Sequence, residues 1–86
     1  MGRYRILFKI SAVGELEAIP KKNLRLIVKR IASLTNEPRP PGCQKLSSKK
    51  YYRIKQGDYR IVYSVSDKDF TINIAKIGHR REVYCG

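Results

Sequence analysis

The chain has no tryptophan, one methionine and one histidine, and only 7 acidic residues against 19 lysines and arginines. Each shortage removes a class of function. His79 and two widely separated cysteines, Cys43 and Cys85, cannot assemble a zinc site of the usual ligand spacing. No metal and no cofactor is expected. Two lone cysteines do not make a disulfide framework either, and they are expected to stay free thiols in a reducing compartment. No stretch approaches the roughly 18 consecutive apolar residues of a membrane-spanning helix. The opening "MGRYRILFKISAVGEL" alternates polar with apolar residues, unlike the apolar run of a secretion signal. A cytoplasmic location is therefore expected. At 86 residues the chain is expected to fold as a single domain, 1–86, with a core of two layers at most.

What the chain does have is positive charge. The formal balance is +12 at pH 7. Such a field does not select a fold, but it attracts polyanions. Nucleic acid is the leading candidate partner, ahead of an acidic protein or an anionic membrane surface.

Hydrophobic periodicity sketches the architecture. In "RYRILFKI", Tyr4, Ile6, Phe8 and Ile10 alternate with Arg3, Arg5 and Lys9, which predicts a half-buried strand over 3–10. A short helix is expected over Val13–Ile19. Pro20 suits a first helical position, and Leu24, Ile27, Val28 and Ile31 then recur at helical spacing, with Leu34 extending the stripe. Lys21, Lys22, Arg25, Lys29 and Arg30 fill the rest of that helix surface. The breaker-rich "TNEPRPPG" ends it. "GCQKLSS" is open to either a short strand or a loop. Beyond it the period changes to two: Tyr51–Ser66 reads as a hairpin, "SDKD" as a turn, and "FTINIAKI" as a strand with Phe70, Ile72 and Ile74 inward. The expectation is an α+β domain of two layers, a helical pair covering one face of a mainly antiparallel four-stranded sheet.

The hairpin "YYRIKQGDYRIVYSV" carries the chemistry. Gly57-Asp58 suits a two-residue type II′ turn, which sets Gln56 opposite Tyr59, Lys55 opposite Arg60 and Arg53 opposite Val62. Tyr52, Ile54, Tyr59, Ile61 and Tyr63 then share one face, while Arg53, Lys55 and Arg60 share the other. Like charges directly opposite one another destabilise a sheet, and no acid within the strands relieves them. A solvated basic face is the ordinary explanation of such charge, but it does not account for the clustering; a phosphate site does. Near like charges the protonated form of a lysine is disfavoured, whereas arginines hold phosphate oxygens bidentately. That combination suits RNA cleavage by the neighbouring 2′-hydroxyl, which needs a base, stabilisation of a phosphorane and an acid, but no metal.

"YYRIKQGDYRIVYSV" followed by "IAKIGHRREVY" resembles the RelE/ParE superfamily of toxins, and the likeness runs from "RYRILF" through "KKNLRLIVKRIASL" and "QKLSS" to Tyr84. The resemblance implies a microbial-ribonuclease-like α+β fold and a toxin held inactive by an acidic, RelB-like antitoxin. For RelE-type members it implies an mRNA interferase that cuts mRNA in the ribosomal A site and so inhibits translation. Carried over by position, the catalytic set is Arg53, Lys55, Arg60, Arg80 and Tyr84, with Lys45 as a substrate contact; Tyr51, from its place on the basic face, and His79 and Arg81, beside Arg80, are further candidate substrate contacts. Ser47-Ser48 stands where family members often carry glycine, and the short Gly78-to-Tyr84 interval leaves Arg80 and Arg81 competing for one role. His79 is open to proton donation, base stacking or ordinary packing. Tyr51 can stack on a base or pack beside Val62. Tyr84 is expected to stack on or orient the substrate.

Two other functions fit the same features. One is a ParE-like toxin that inhibits gyrase without ribonuclease activity; the other is a non-enzymatic RNA-binding module. An inhibitor has no chemical need for the five-residue set, and a binding module would rely on aromatics more than on clustered cations.

Overall fold

A computed structural model describes residues 3–46 and 50–79. Strand β1 (Arg5–Phe8) leads into helices α1 (Ile10–Glu17) and α2 (Lys21–Ser33). Strands β2 (Gln44–Lys45), β3 (Tyr51–Gln56), β4 (Tyr59–Ser66) and β5 (Thr71–His79) follow. The sheet order is β1-β5-β4-β3-β2. β1 runs parallel to β5, and the other pairs are antiparallel. The expected four strands are thus joined by a fifth of two residues, drawn from the segment left open between strand and loop.

Both helices cover one face. Ala12 and Ile19 from the α1 region and Ile27, Ile31 and Leu34 from the α2 region meet Ile54, Ile61, Tyr63, Ile72, Ile74 and Ile77 in one buried cluster. Burying each isoleucine contributes about 1.5–3 kcal/mol. Four positions depart from the periodic reading, the first being Phe8, which is 37% exposed at the end of β1. Val28 is 47% exposed, because the stripe that faces the sheet is narrower than the sequence pattern and runs through Ile27, Ile31 and Leu34. Ile10 is 91% exposed: β1 stops at Phe8, and Ile10 opens α1 instead of continuing the strand. Phe70 has φ +51 in the turn before β5 and lies edge-on to Tyr4 at 5.4 Å, outside the strand.

A bulge keeps β5 amphipathic. Val62 pairs with Lys76 and Tyr63 with Ile74, so Ala75 is the extra residue. Strict alternation from Ile72 and Ile74 would turn Lys76 inward; the bulge turns Ile77 in instead. Beyond Ile74, the last β5 residue paired with β1, the Glu15 carboxylate takes over the strand edge. It accepts from the Ile77 N–H at 2.8 Å and from Lys76 Nζ at 2.9 Å. Among the described residues no helix is long and apolar enough to cross a membrane.

Candidate RNA-cleavage site

The β3–β4 hairpin positions the cations. Gly57 has φ +62, while Asp58 is not among the positive-φ residues, which is the type II′ combination. The pairs are Gln56 with Tyr59, Lys55 with Arg60, Ile54 with Ile61 and Arg53 with Val62, the register the turn dictates. Ile54, Ile61 and Tyr63 are therefore buried beneath the helices, with Tyr52 and Tyr59 half-buried at the core margin. Arg53, Lys55 and Arg60 emerge together on the open face, Lys55 exposed and both arginines half-buried.

Among the described residues none of the three meets a carboxylate within ion-pair distance; the ion pairs there are Arg39–Asp67 and Lys76–Glu15. Their observed partners are neutral acceptors. Arg53 Nη2 donates to Gln44 Oε1 at 2.6 Å, and Arg60 Nη1 donates to the Tyr59 carbonyl at 3.3 Å. Among the described residues the charge on this face is held in place without a carboxylate to neutralise it. Tyr51, opposite Ser64, is half-buried on the same face.

Two of the expected contacts lie elsewhere. Lys45 pairs with Tyr52, which puts it on the helix-facing side at the sheet edge, and its neighbour Gln44 takes the place opposite Arg53. His79 pairs with Tyr59, also on the helix-facing side, with the two rings edge to face at 5.8 Å. The two rings line a cleft of about 210 Å³ together with Glu15, Ala18, Ile19, Ile77 and Gly78. Arg80, Arg81 and Tyr84 lie outside the described residues, as do Ser47, Ser48 and Cys85. Among the described residues no three His, Cys, Asp or Glu side chains come together to hold a metal ion.

A second Arg–Tyr cluster sits at the other end of the hairpin. Arg39 grips Asp67 through two bonds, at 2.8 and 3.2 Å, and its Nε donates to the Tyr52 hydroxyl at 3.0 Å. The Tyr4 hydroxyl donates to the same carboxylate at 2.7 Å. The hydrogen bonds from Arg39 and Tyr4 hold the Asp67 carboxyl below its usual range, and the bond to Asp67 raises the Tyr4 phenol. Burial, and next the Cys43 thiol, push the Tyr63 phenol up; its hydroxyl donates to the Pro38 carbonyl at 2.7 Å. Neither Gln44 nor this network was found in the sequence, and no local signal marks them: Arg39 and Asp67 are 28 residues apart.

Residues 5–84 match the family model of the ParE toxin of type II toxin–antitoxin systems, parDE. No curated protein sequence matches significantly. Among solved structures, the chain is similar to the archaeal RelE–RelB complex from Pyrococcus horikoshii, with 33% identity and a TM-score of 0.81. That match covers 91% of this chain and 96% of the other. The RelBE2 toxin–antitoxin complex from Mycobacterium tuberculosis matches at 25% identity and TM-score 0.81, covering 93% and 94% of the two chains. The isolated RelE toxin from E. coli matches at 25% identity and TM-score 0.80, covering 94% and 90%.

Proposed function

Because the chain belongs to the RelE/ParE family of type II toxin–antitoxin toxins, we propose that it is a ribosome-dependent, metal-independent endoribonuclease that cuts mRNA in the A site. The observation that carries the reading is the open-face cluster of Arg53, Lys55 and Arg60 with no carboxylate partner among the described residues. An inhibitor acting by protein contact has no need to hold three like charges together against their repulsion.

In this reading Lys55 Nζ takes the proton of a ribose 2′-hydroxyl. The freed oxygen bonds to the adjacent phosphorus, and the bond from phosphorus to the 5′-oxygen breaks. The leaving oxygen receives a proton, giving a 2′,3′-cyclic phosphate and a 5′-hydroxyl end. Arg60 and Arg80 (or Arg81) stabilise the charge on the phosphorane, Arg53 holds the phosphate, and Tyr84 orients the strand. Tyr51 stacks on a neighbouring base. Lys45 and His79, on the helix-facing side, serve contacts away from the scissile phosphate.

The partner that restrains this activity is an acidic, RelB-like antitoxin, in keeping with the +12 charge and with RelE relatives solved as complexes with RelB. A gyrase-directed, non-nuclease toxin is the second reading, favoured by the match to the ParE model. Primer extension on an mRNA in a translating extract separates the two. Codon-phased cuts support the nuclease, and inhibition without cuts sinks it.

A further inference from the structure

The open face continues beyond the cations. Tyr51, Ser64, Asn73 and Leu7 stand side by side on β3, β4, β5 and β1, each directly paired with the next. This row spans about 14 Å across the strands and lies about 7 Å along them from Arg53. Its ends are an aromatic ring and an apolar side chain that is 47% exposed, Leu7. Its centre is two short polar groups side by side.

Among the described residues those two side chains are uncommitted. One step further along the same strands, the Ser66 hydroxyl donates to Asp69 Oδ2 at 3.0 Å and the Thr71 hydroxyl to the Asp69 carbonyl at 3.0 Å. Ser64 and Asn73 make no such side-chain bonds among the described residues, and Asn73 is exposed. An asparagine amide presents a donor and an acceptor together, and a serine hydroxyl can serve as either. That is the equipment for reading the edge of an unpaired base, with stacking surface on each side.

We infer that the Tyr51–Ser64–Asn73–Leu7 row is a base-reading subsite for single-stranded RNA, one or two nucleotides from the cationic cluster. It selects which sequence is presented for cleavage. The inference rests on the proposed nuclease function only for naming RNA as the occupant. Arg53 and Arg60 fix the backbone, and Ser64 and Asn73 then discriminate bases without taking part in the chemical step.

Fluorescence anisotropy with labelled RNA hexamers of A, C, G and U, on the full chain without ribosomes, tests it. The wild type is expected to rank the four hexamers. Asn73→Ala is expected to compress that spread about tenfold, with Ser64→Ala acting in the same direction. Lys29→Ala should lower all four affinities alike and keep the ranking. Equal binding of all four hexamers by the wild type overturns the inference, and so does an unchanged ranking in Asn73→Ala and Ser64→Ala. Loss of antitoxin affinity with the ranking intact assigns the row to a protein interface and also overturns it. A ranking that collapses in the variants, together with no cuts in a translating extract, keeps the subsite and sinks the nuclease reading instead.

Discussion

The two ends of the β3–β4 hairpin use the same residue types for opposite purposes. At the open end, Arg39 meets Asp67 and Tyr52, Tyr4 donates to the same carboxylate, and the arginine's charge has its counterpart. Toward the turn end, Arg53 and Arg60 meet neutral acceptors, and among the described residues none of Arg53, Lys55 and Arg60 meets a carboxylate. The first cluster joins β1, the proline-rich connector, β3 and the β4–β5 turn. The second joins little and leaves its charge available. An arginine with a carboxylate is a strut; arginines held together without one fit the proposed site.

The comparison breaks most sharply at Arg60. Arg60→Ala should slow single-turnover cleavage on programmed ribosomes, at saturating enzyme, by roughly a hundredfold or more. Its thermal midpoint should hardly move, since among the described residues its one side-chain bond is the long one to the Tyr59 carbonyl. A rate within threefold of wild type would make the turn-end cluster a solvated face after all. Lys55→Arg should flatten the acidic limb of the pH–rate profile, because a guanidinium cannot accept the proton.

Arg39→Ala should show the reverse pattern. The Arg39–Asp67 pair is largely solvent-exposed, so stability should fall by only about 1 kcal/mol. In a domain of this size that lowers Tm by about 4–8 °C. Cleavage per folded molecule should be unchanged. A large kinetic defect in a stably folded Arg39→Ala protein would erase the distinction between strut and site.

Titration sharpens the same contrast. Asp67 holds its proton less firmly in the native state than its ordinary value of 3.8 implies, so its contribution to stability is complete above that pH. It is lost as pH falls through the lower native value. Arg39→Ala should therefore flatten the acid limb of urea-midpoint stability against pH. Tyr4 and Tyr63 shift the other way, and stability present below pH 10.0 should decline above it. Tyr63→Phe should remove part of that alkaline decline.

The smallest effect belongs to α2. Lys29→Ala should leave the saturated rate alone and reduce the salt slope of ribosome association by about one unit.

The hairpin was legible in the sequence because two local rules agree there. Gly57-Asp58 fixes the turn, and the alternation of Ile54 with Lys55 and Ile61 with Arg60 allows one register. Elsewhere local rules misled. Alternation through Ile10 and Phe70 continues past the point where the chain must leave the sheet, and only pairing with a distant strand marks that point. The helical stripe is periodic through Val28, but its width is set by the sheet beneath it. The Ala75 bulge and the Glu15 edge cap depend on a partner strand and helix that the segment itself does not encode. Of the candidate site, the cations were readable by parity alone. The same parity, once the Gln44–Arg53 and Tyr59–His79 pairs are known, puts Lys45 and His79 on the other face.

The place of β5 in the sheet governs when this protein can exist at all during its synthesis. β5 is the last of the five strands to be made, yet it lies between β1 and β4 and pairs with both. Until residues 71–79 leave the ribosome, β1 has no neighbour and Ile6 no sheet to join. Contacts this distant in sequence form late and slowly. Until then a growing chain carries the cations of β3 and β4 on an incompletely assembled scaffold. The cationic face of β3 and β4 gains its full sheet support only once residues 71–79 have joined β4 to β1.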